Sequence, residues 1–151
     1  MILETRDGKK VYSDGNETEM EMLRIAEEYP EDLSEDFIAN SSKYTINNTF
    51  SSVRKNILNW YSFNKDSDVL EIGAGMGSLT GMLCDKCRNV TALEMNPVRA
   101  EVIRQRYRTR KNLTILAQDV NTWNTDEKFD YIIMIGVLEY AAVFTHTNNP
   151  F

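Results

Sequence analysis

The stretch Val69-Leu70-Glu71-Ile72-Gly73-Ala74-Gly75-Met76-Gly77-Ser78-Leu79-Thr80 constrains this chain more than any other part of it. A short apolar run passes into glycines at every second position and then into a helical pattern. That reads as a buried parallel strand, a tight turn and the first turn of a helix. Glycine lets the backbone turn sharply there and lets a ligand approach without meeting a Cβ atom. The amides that open the next helix then turn partial positive charge towards that ligand. An α/β fold holding a nucleotide-like ligand at a strand–loop–helix junction is the expectation.

The remaining pattern extends that unit. Strands are expected over 68–72, 89–94, 113–117 and 129–135, with helices over 77–87 and 97–107, the second opened by Pro97 at a first-turn position. Strands alternating with helices predict a Rossmann-like, doubly wound, mostly parallel sheet with helices on both faces. The 151 residues, 42% of them hydrophobic, suffice for one such core. Residues 1–42 read as an N-terminal extension and 43–151 as the ligand-binding domain. The extension holds a hairpin, with Asp7-Gly8 turning between 2–6 and 9–12. A helix over 17–29 follows, capped by Asn16 with Glu19 and facing inward through Met20, Leu23 and Ala26 or Glu27. Phe50, Val53, Ile57 and Leu58 stand at helical spacing and predict a helix over 49–60 that covers one sheet face. The polar segment 44–49 before it reads as a lead-in in preference to a segment closing over a ligand.

Charge and cysteine usage narrow the partners. A net charge of -6 and a pI near 4.9 argue against nucleic acid as the main partner. No apolar stretch approaches the roughly 20 residues that span a membrane, and residues 1–6 lack the basic start of a secretory signal, so a cytoplasmic protein is expected. Cys84 and Cys87 form a C-x-x-C that suits a redox pair or half a zinc site. With no second pair, and His146 the sole histidine, two thiols near a helix end are preferred and no metal site is expected. Between 17 and 36 nine acids face the single base Arg24, read as a solvated surface in preference to a docking site for a basic partner. Arg99, Arg104, Arg106, Arg108, Arg110 and Lys111 are likewise read as a solvated helix face near its negative end, in preference to a phosphate-binding patch.

Glu94 closes the second strand of the sheet, 21 residues after Gly73. A carboxylate there can accept both hydroxyls of a ribose. An NAD-binding protein uses the same geometry, so Glu94 supports a nucleoside without choosing which. The dinucleotide fingerprint G-x-G-x-x-G, however, has Ser78 at its third glycine.

Glu71-x-Gly73-x-Gly75-x-Gly77, Glu94-Met95, Asp119-Val120 and the run from Phe129 through Ile135-Gly136-Val137-Leu138-Glu139-Tyr140 together resemble the cofactor half of class I S-adenosylmethionine-dependent methyltransferases. The resemblance covers roughly residues 44–140. It implies S-adenosylmethionine as cofactor, with its methionine end on the loop of Gly73, Ala74, Gly75 and Gly77 and its amino group served by Glu71. It also implies that Glu94 holds the ribose, that Asp119 accepts the adenine amino group beside the Val120 amide, and that Gly136 lines the same site. Met95 would pack on the adenine face, with core packing an equal alternative. Ser78 and Asp119 disfavour an NAD-dependent oxidoreductase. Methyl transfer chiefly needs a nucleophile aligned with the methyl carbon, and a base only where the acceptor must lose a proton, so no catalytic residue is singled out.

Two subfamilies compete for the acceptor. Ribosomal RNA adenine dimethyltransferases share the look of 69–80, but after the fourth strand they carry an Asn-Leu-Pro-Tyr-type motif that holds a flipped-out adenine. Here Ile135-Gly136-Val137-Leu138-Glu139-Tyr140 stands in that place, which looks more like small-molecule methyltransferases, so a small molecule or saccharide is preferred to RNA. The family fold has seven strands in the order 3-2-1-4-5-7-6, and four are visible. The chain is therefore expected to be an N-terminal piece of a longer enzyme, the alternative being a non-catalytic cofactor-binding module. A sheet truncated after its fourth strand leaves that strand as an edge, to be covered by the tail, the hairpin or a second copy in a homodimer.

Overall fold

The computed structural model describes residues 2–4, 10–31, 35–41 and 44–141. Strands β1 (Ile2–Glu4) and β2 (Lys10–Tyr12) pair antiparallel, with Ile2 opposite Tyr12. The expected Asp7-Gly8 turn lies outside the described residues. Helix α1 (Asn16–Glu28) follows, capped by Gly15 at φ +102° and not by the Asn16 side chain. Its inner face is Glu19, Met22 and Ala26, while Met20 is exposed. The expected Met20 face is thus turned by one residue. The reason is that α1 is seated by the charged groups of Glu19 as well as by apolar packing.

The helices α2 (Glu35–Ala39) and α3 (Tyr44–Phe50), a 3-10 turn at Ser52–Lys55 and the short α4 (Asn56–Asn59) come next. The single helix expected over 49–60 is broken at Ser51, whose backbone is extended (φ -68°, ψ 136°) and whose hydroxyl accepts the Val53 amide at 3.2 Å. A serine that bonds its own downstream backbone competes with helix propagation. Val53 and Ile57 consequently face solvent, and Phe50 turns into a cluster with Met22, Ala26, Ile46 and Val102.

The sheet is formed by β3 (Asp68–Ile72), β4 (Asn89–Leu93), β5 (Leu113–Leu116) and β6 (Tyr131–Met134) in the order β5-β4-β3-β6, all parallel. This is the expected Rossmann-like sheet. Helices α5 (Thr80–Lys86) and α6 (Pro97–Arg106) connect β3 to β4 and β4 to β5. Helix α5 begins at Thr80 and not at 77, because Gly73, Gly75 and Gly77 all adopt positive φ and spend residues 73–79 on the turn. Helix α6 is capped by Asn96, whose side chain accepts the Val98 amide at 3.0 Å and the Arg99 amide at 3.4 Å.

Val69, Val90 and Ala92 point to the face covered by α5 and α6. Leu70, Ile72 and Leu93 point to the other, where Trp123 and Phe129 pack on them. The crossover from β5 to β6 spans that second face, and among the described residues it contains no helix. The helical cover expected on both faces is therefore described on one. The crossover is rich in turn formers instead, and Asp119 Oδ1 accepts the Asn121 amide at 2.9 Å as an Asx turn. Strand β6 pairs with β3 and, among the described residues, with no strand on its far side; Ile132 there is 61% exposed.

Cys84 and Cys87 are free thiols at the end of α5, as expected, and both are buried; burial pushes the Cys84 thiol up to about 12. The reading of the charged surface changes. The arginines of α6 and its exit are for the most part not a solvated face, and they do not form an open phosphate patch either. Arg106 is wholly buried and donates to the Met76 carbonyl at 2.6 Å and the Glu31 carbonyl at 3.2 Å, with its guanidinium 4.5 Å from the Phe50 ring. Arg110 grips Glu31 through two bonds of 2.9 Å and also reaches Asp85. Arg108 donates to the Glu27 carbonyl. Part of the acidic stretch thus meets part of the basic one, and together they clamp α1 and the residues after it to α6.

Candidate functional site

The sheet reverses its winding between β3 and β6, and a crevice opens beyond the strand ends at such a point. A cavity of about 390 Å³ lies there. Its lining includes Glu71, Gly73, Ala74 and Gly75 from the loop after β3, Glu94 and Met95 after β4, Asp119 and Val120 after β5, and Gly136 after β6. Residues spread over 66 positions of sequence, each singled out for the same ligand, converge on one space. Gly77 alone of that set does not line it. A Cβ at Gly77 would stand 2.9 Å from the Tyr107 ring, whose hydroxyl donates to the Gly77 carbonyl at 2.7 Å. Gly77 lets α6 pack under the loop.

The loop geometry separates the other glycines too. Gly73 has φ +68°, and a Cβ on it would fall 2.3 Å from Val137 Cγ2, so it admits the segment after β6. Gly75 has φ +61° and open space where its Cβ would be. Its amide points to Glu94.

Glu94 is buried, and its two oxygens are held separately: Oε2 accepts the Gly75 amide and Oε1 the Asn96 amide, both at 2.8 Å. Burial raises its pKa, opposed by those amides and by the Arg99 charge. A carboxylate oxygen has two acceptor positions, so each oxygen of Glu94 keeps one. Glu71 is also buried and accepts the Thr80 hydroxyl at 2.6 Å through Oε2. Burial pushes its carboxyl up to about 7, with the Thr80 bond opposing and the charge of Glu94 adding. Asp119 is half-buried, its Oδ1 held by the amide and the side chain of Asn121. Met95 is half-buried at the cavity wall and not in a core cluster.

The walls contain residues that no motif announced. Tyr12 and Asp14 reach the cavity from the segment before α1, Tyr44 and Asn48 from α3, and Arg54 from the 3-10 turn. Segment 44–49 is therefore a wall of the cavity and not only a lead-in. Arg99 lies across the N-terminal side, bonded to Asp14 at 2.6 Å and to Glu19 at 3.0 Å, with its guanidinium 4.6 Å from the Tyr12 ring. Tyr12 in turn meets Tyr140, with centroids 4.9 Å apart. The only sequence signal for these contacts was the aromatic and charged character of residues dispersed over the chain.

A family model described as ribosomal RNA adenine dimethylase matches residues 39–146. Ribosomal RNA small subunit methyltransferase A of Malacoplasma penetrans is 28% identical over 102 residues, which cover 60% of this chain and 38% of that protein. Nodulation protein S of Sinorhizobium fredii is 29% identical over 87 residues, covering 55% of this chain and 40% of that protein. The chain thus spans about two fifths of the length of these curated relatives. Among solved structures, phosphoethanolamine N-methyltransferase 1 of Haemonchus contortus, in complex with phosphoethanolamine and S-adenosylhomocysteine, superposes with a TM-score of 0.54. It is 21% identical over 78% of this chain and 24% of that one, a likeness of fold.

Proposed function

The chain belongs to the ribosomal RNA adenine dimethylase family, within the class I S-adenosylmethionine-dependent methyltransferases, and from that premise we propose that its cavity holds S-adenosylmethionine for methyl transfer. The observation that carries this is the buried Glu94, fixed by the Gly75 and Asn96 amides with one acceptor position left on each oxygen. That is the donor–acceptor count a vicinal diol requires. Glu71 takes the amino group, Asp119 with the Val120 amide takes the adenine edge, and Met95 packs on its ring. Burial disfavours the ionised forms of Glu71 and Glu94, and a positively charged ligand in the cavity would restore them. When bound, the cofactor supplies an electrophilic methyl carbon on its sulfonium. The chain's own contribution is to bind and orient it and to exclude water.

For the acceptor, the lip after β6 favours a small molecule or saccharide. Ile135, Gly136 and Val137 line the cavity there, and none carries a side-chain amide to grip a base edge. The arginines that would have made a phosphate track are largely engaged with Glu31, Glu19, Asp14 and backbone carbonyls. A second reading, an adenine of ribosomal RNA, is favoured by the family and by the ribosomal RNA methyltransferases among the relatives.

Titration calorimetry with S-adenosylhomocysteine and with NAD tests the cofactor. Binding of the homocysteine compound alone is expected, weakened by roughly 1.5–3 kcal/mol in Glu94→Ala, the range for hydrogen bonds to a charged group. Binding of NAD alone, or of neither, overturns the reading. Transfer of a labelled methyl group to small-subunit ribosomal RNA, set beside a panel of amines and sugars, separates the two acceptors.

A further inference from the structure

The segment before residue 39 precedes the family's matched region, yet its Tyr12 and Asp14 line the cavity. Glu19 of α1 is 2% exposed. Its carboxylate accepts from Asn96 Nδ2 at 3.1 and 3.2 Å, from Arg99 Nε at 3.0 Å and from the Asp14 amide at 3.3 Å. Asn96 is itself 3% exposed, and its side chain also donates to the Tyr12 carbonyl at 3.1 Å. Every polar group of Asn96 is thereby used: the side-chain nitrogen on Glu19 and Tyr12, the side-chain oxygen on the α6 amides of Val98 and Arg99, the backbone amide on Glu94 Oε1, and the backbone carbonyl on the Ala100 amide. The cap of α6, the seat of α1 and the conformer of Glu94 are one connected set of bonds.

We propose that Glu19 is a positioning residue of the cofactor site, acting through Asn96 and Arg99 to fix Glu94 and to hold Tyr12 and Asp14 as the cavity's N-terminal wall. A buried acid paired only for stability would not need to meet both the residue that caps α6 and the cation beside the cavity. Glu19 meets both, and each of these touches a cavity-lining group: Asn96 touches Glu94 and Tyr12, and Arg99 touches Asp14 and Tyr12. A buried network in which every member is satisfied rigidifies what it holds. The extension is therefore part of the site and not an appendage to it.

The test has one readout that needs no ligand and one that rests on the methyltransferase reading. The first is amide hydrogen exchange by NMR. In Glu19→Gln, which keeps size and one acceptor but loses the charge, the Gly75 amide, bonded to Glu94 Oε2, is expected to exchange roughly fivefold faster or more. The Gly73 and Ala74 amides bond the Leu93 carbonyl and should not change. An unchanged Gly75, or a uniform acceleration of all three, overturns the proposal. The second readout is a double-mutant cycle with S-adenosylhomocysteine. Glu19→Gln should weaken binding roughly tenfold in the wild-type background and less than twofold in Glu94→Ala, because the two act on one interaction; equal losses in both backgrounds overturn it. If the wild type binds no S-adenosylhomocysteine, the methyltransferase reading falls and the Gly75 comparison still decides the role of Glu19. Should Glu19→Gln fail to fold, Asp14→Asn removes the other carboxylate on Arg99 at a side chain 31% exposed. Faster exchange at Gly75 then supports the network, and none overturns it.

Discussion

Glu71 makes the unliganded protein lose stability as pH rises through neutrality, the reverse of what a salt-bridged carboxylate does. Its carboxyl stands at about 7 in the fold against 4.5 ordinarily, chiefly because burial disfavours the charged form. Between those values the folded chain holds a proton that the unfolded chain has released. The unfolded state therefore binds fewer protons, and stability falls as pH rises. The contribution is fully present below about 4.5, declines across the interval and is gone above about 7. The gap converts to about 3 kcal/mol, at 1.36 kcal/mol for each tenfold change. Glu94 is raised for the same reason and adds in the same direction. Asp68 and Glu101 are held low by bonds from Arg88 and Gln105, so their effect lies on the acid side of this window.

Urea unfolding followed at pH 5, 6, 7 and 8 should show the wild type losing stability steadily, with an unchanged slope in urea. Glu71→Gln should remove about 3 kcal/mol of that decline and leave the part due to Glu94. Thr80→Val removes the 2.6 Å bond that favours the charged form, so the window should move to higher pH. A Glu71→Gln curve parallel to the wild type, or a wild type more stable at pH 8 than at pH 5, would refute the reasoning.

Two further outcomes follow from packing. Gly73→Ala should destabilise by about 1–2 kcal/mol for the left-handed backbone alone, and by more because its Cβ would meet Val137 Cγ2 at 2.3 Å; Gly73→Ala combined with Val137→Ala should regain the second part and not the first in the same urea assay. Arg106→Met should cost about 2–4 kcal/mol, because the Met76 and Glu31 carbonyls lose a buried charged donor, and Arg106→Lys should recover little, since one ammonium cannot reproduce the fork.

What was legible in the sequence was what local pattern determines. The apolar run of β3, the alternate glycines after it and the acid closing β4 each announce themselves within a few residues, and Glu71, Gly75, Glu94 and Asp119 line one cavity. The face of α1 was not legible, because Glu19 is drawn inward by Asn96 and Arg99, 77 and 80 residues away, whereas periodicity weighs only apolar neighbours. The break at Ser51 rests on a single hydroxyl bond, which helical spacing of Phe50 and Val53 outvotes. Arg106 reads as solvated because arginine is rarely buried. Its burial is decided by two carbonyls and an aromatic ring brought together only by the fold.

The same division runs through the cavity itself. Its floor is backbone and buried acid: the Gly75 and Asn96 amides, Glu94, Glu71 and Thr80, all set by the sheet and its first two crossovers. Nothing in that floor depends on what receives the methyl group. The walls come from elsewhere, with Tyr12 and Asp14 ahead of α1, Tyr44 and Asn48 on α3, and the segment from Ile135 to Tyr140 beyond β6. A change of acceptor would therefore need different walls on an unchanged floor. Exchanging Tyr44 and Asn48 should alter which acceptor is methylated while leaving S-adenosylhomocysteine affinity within a few-fold, whereas any substitution of Glu94 should weaken the cofactor whatever the acceptor.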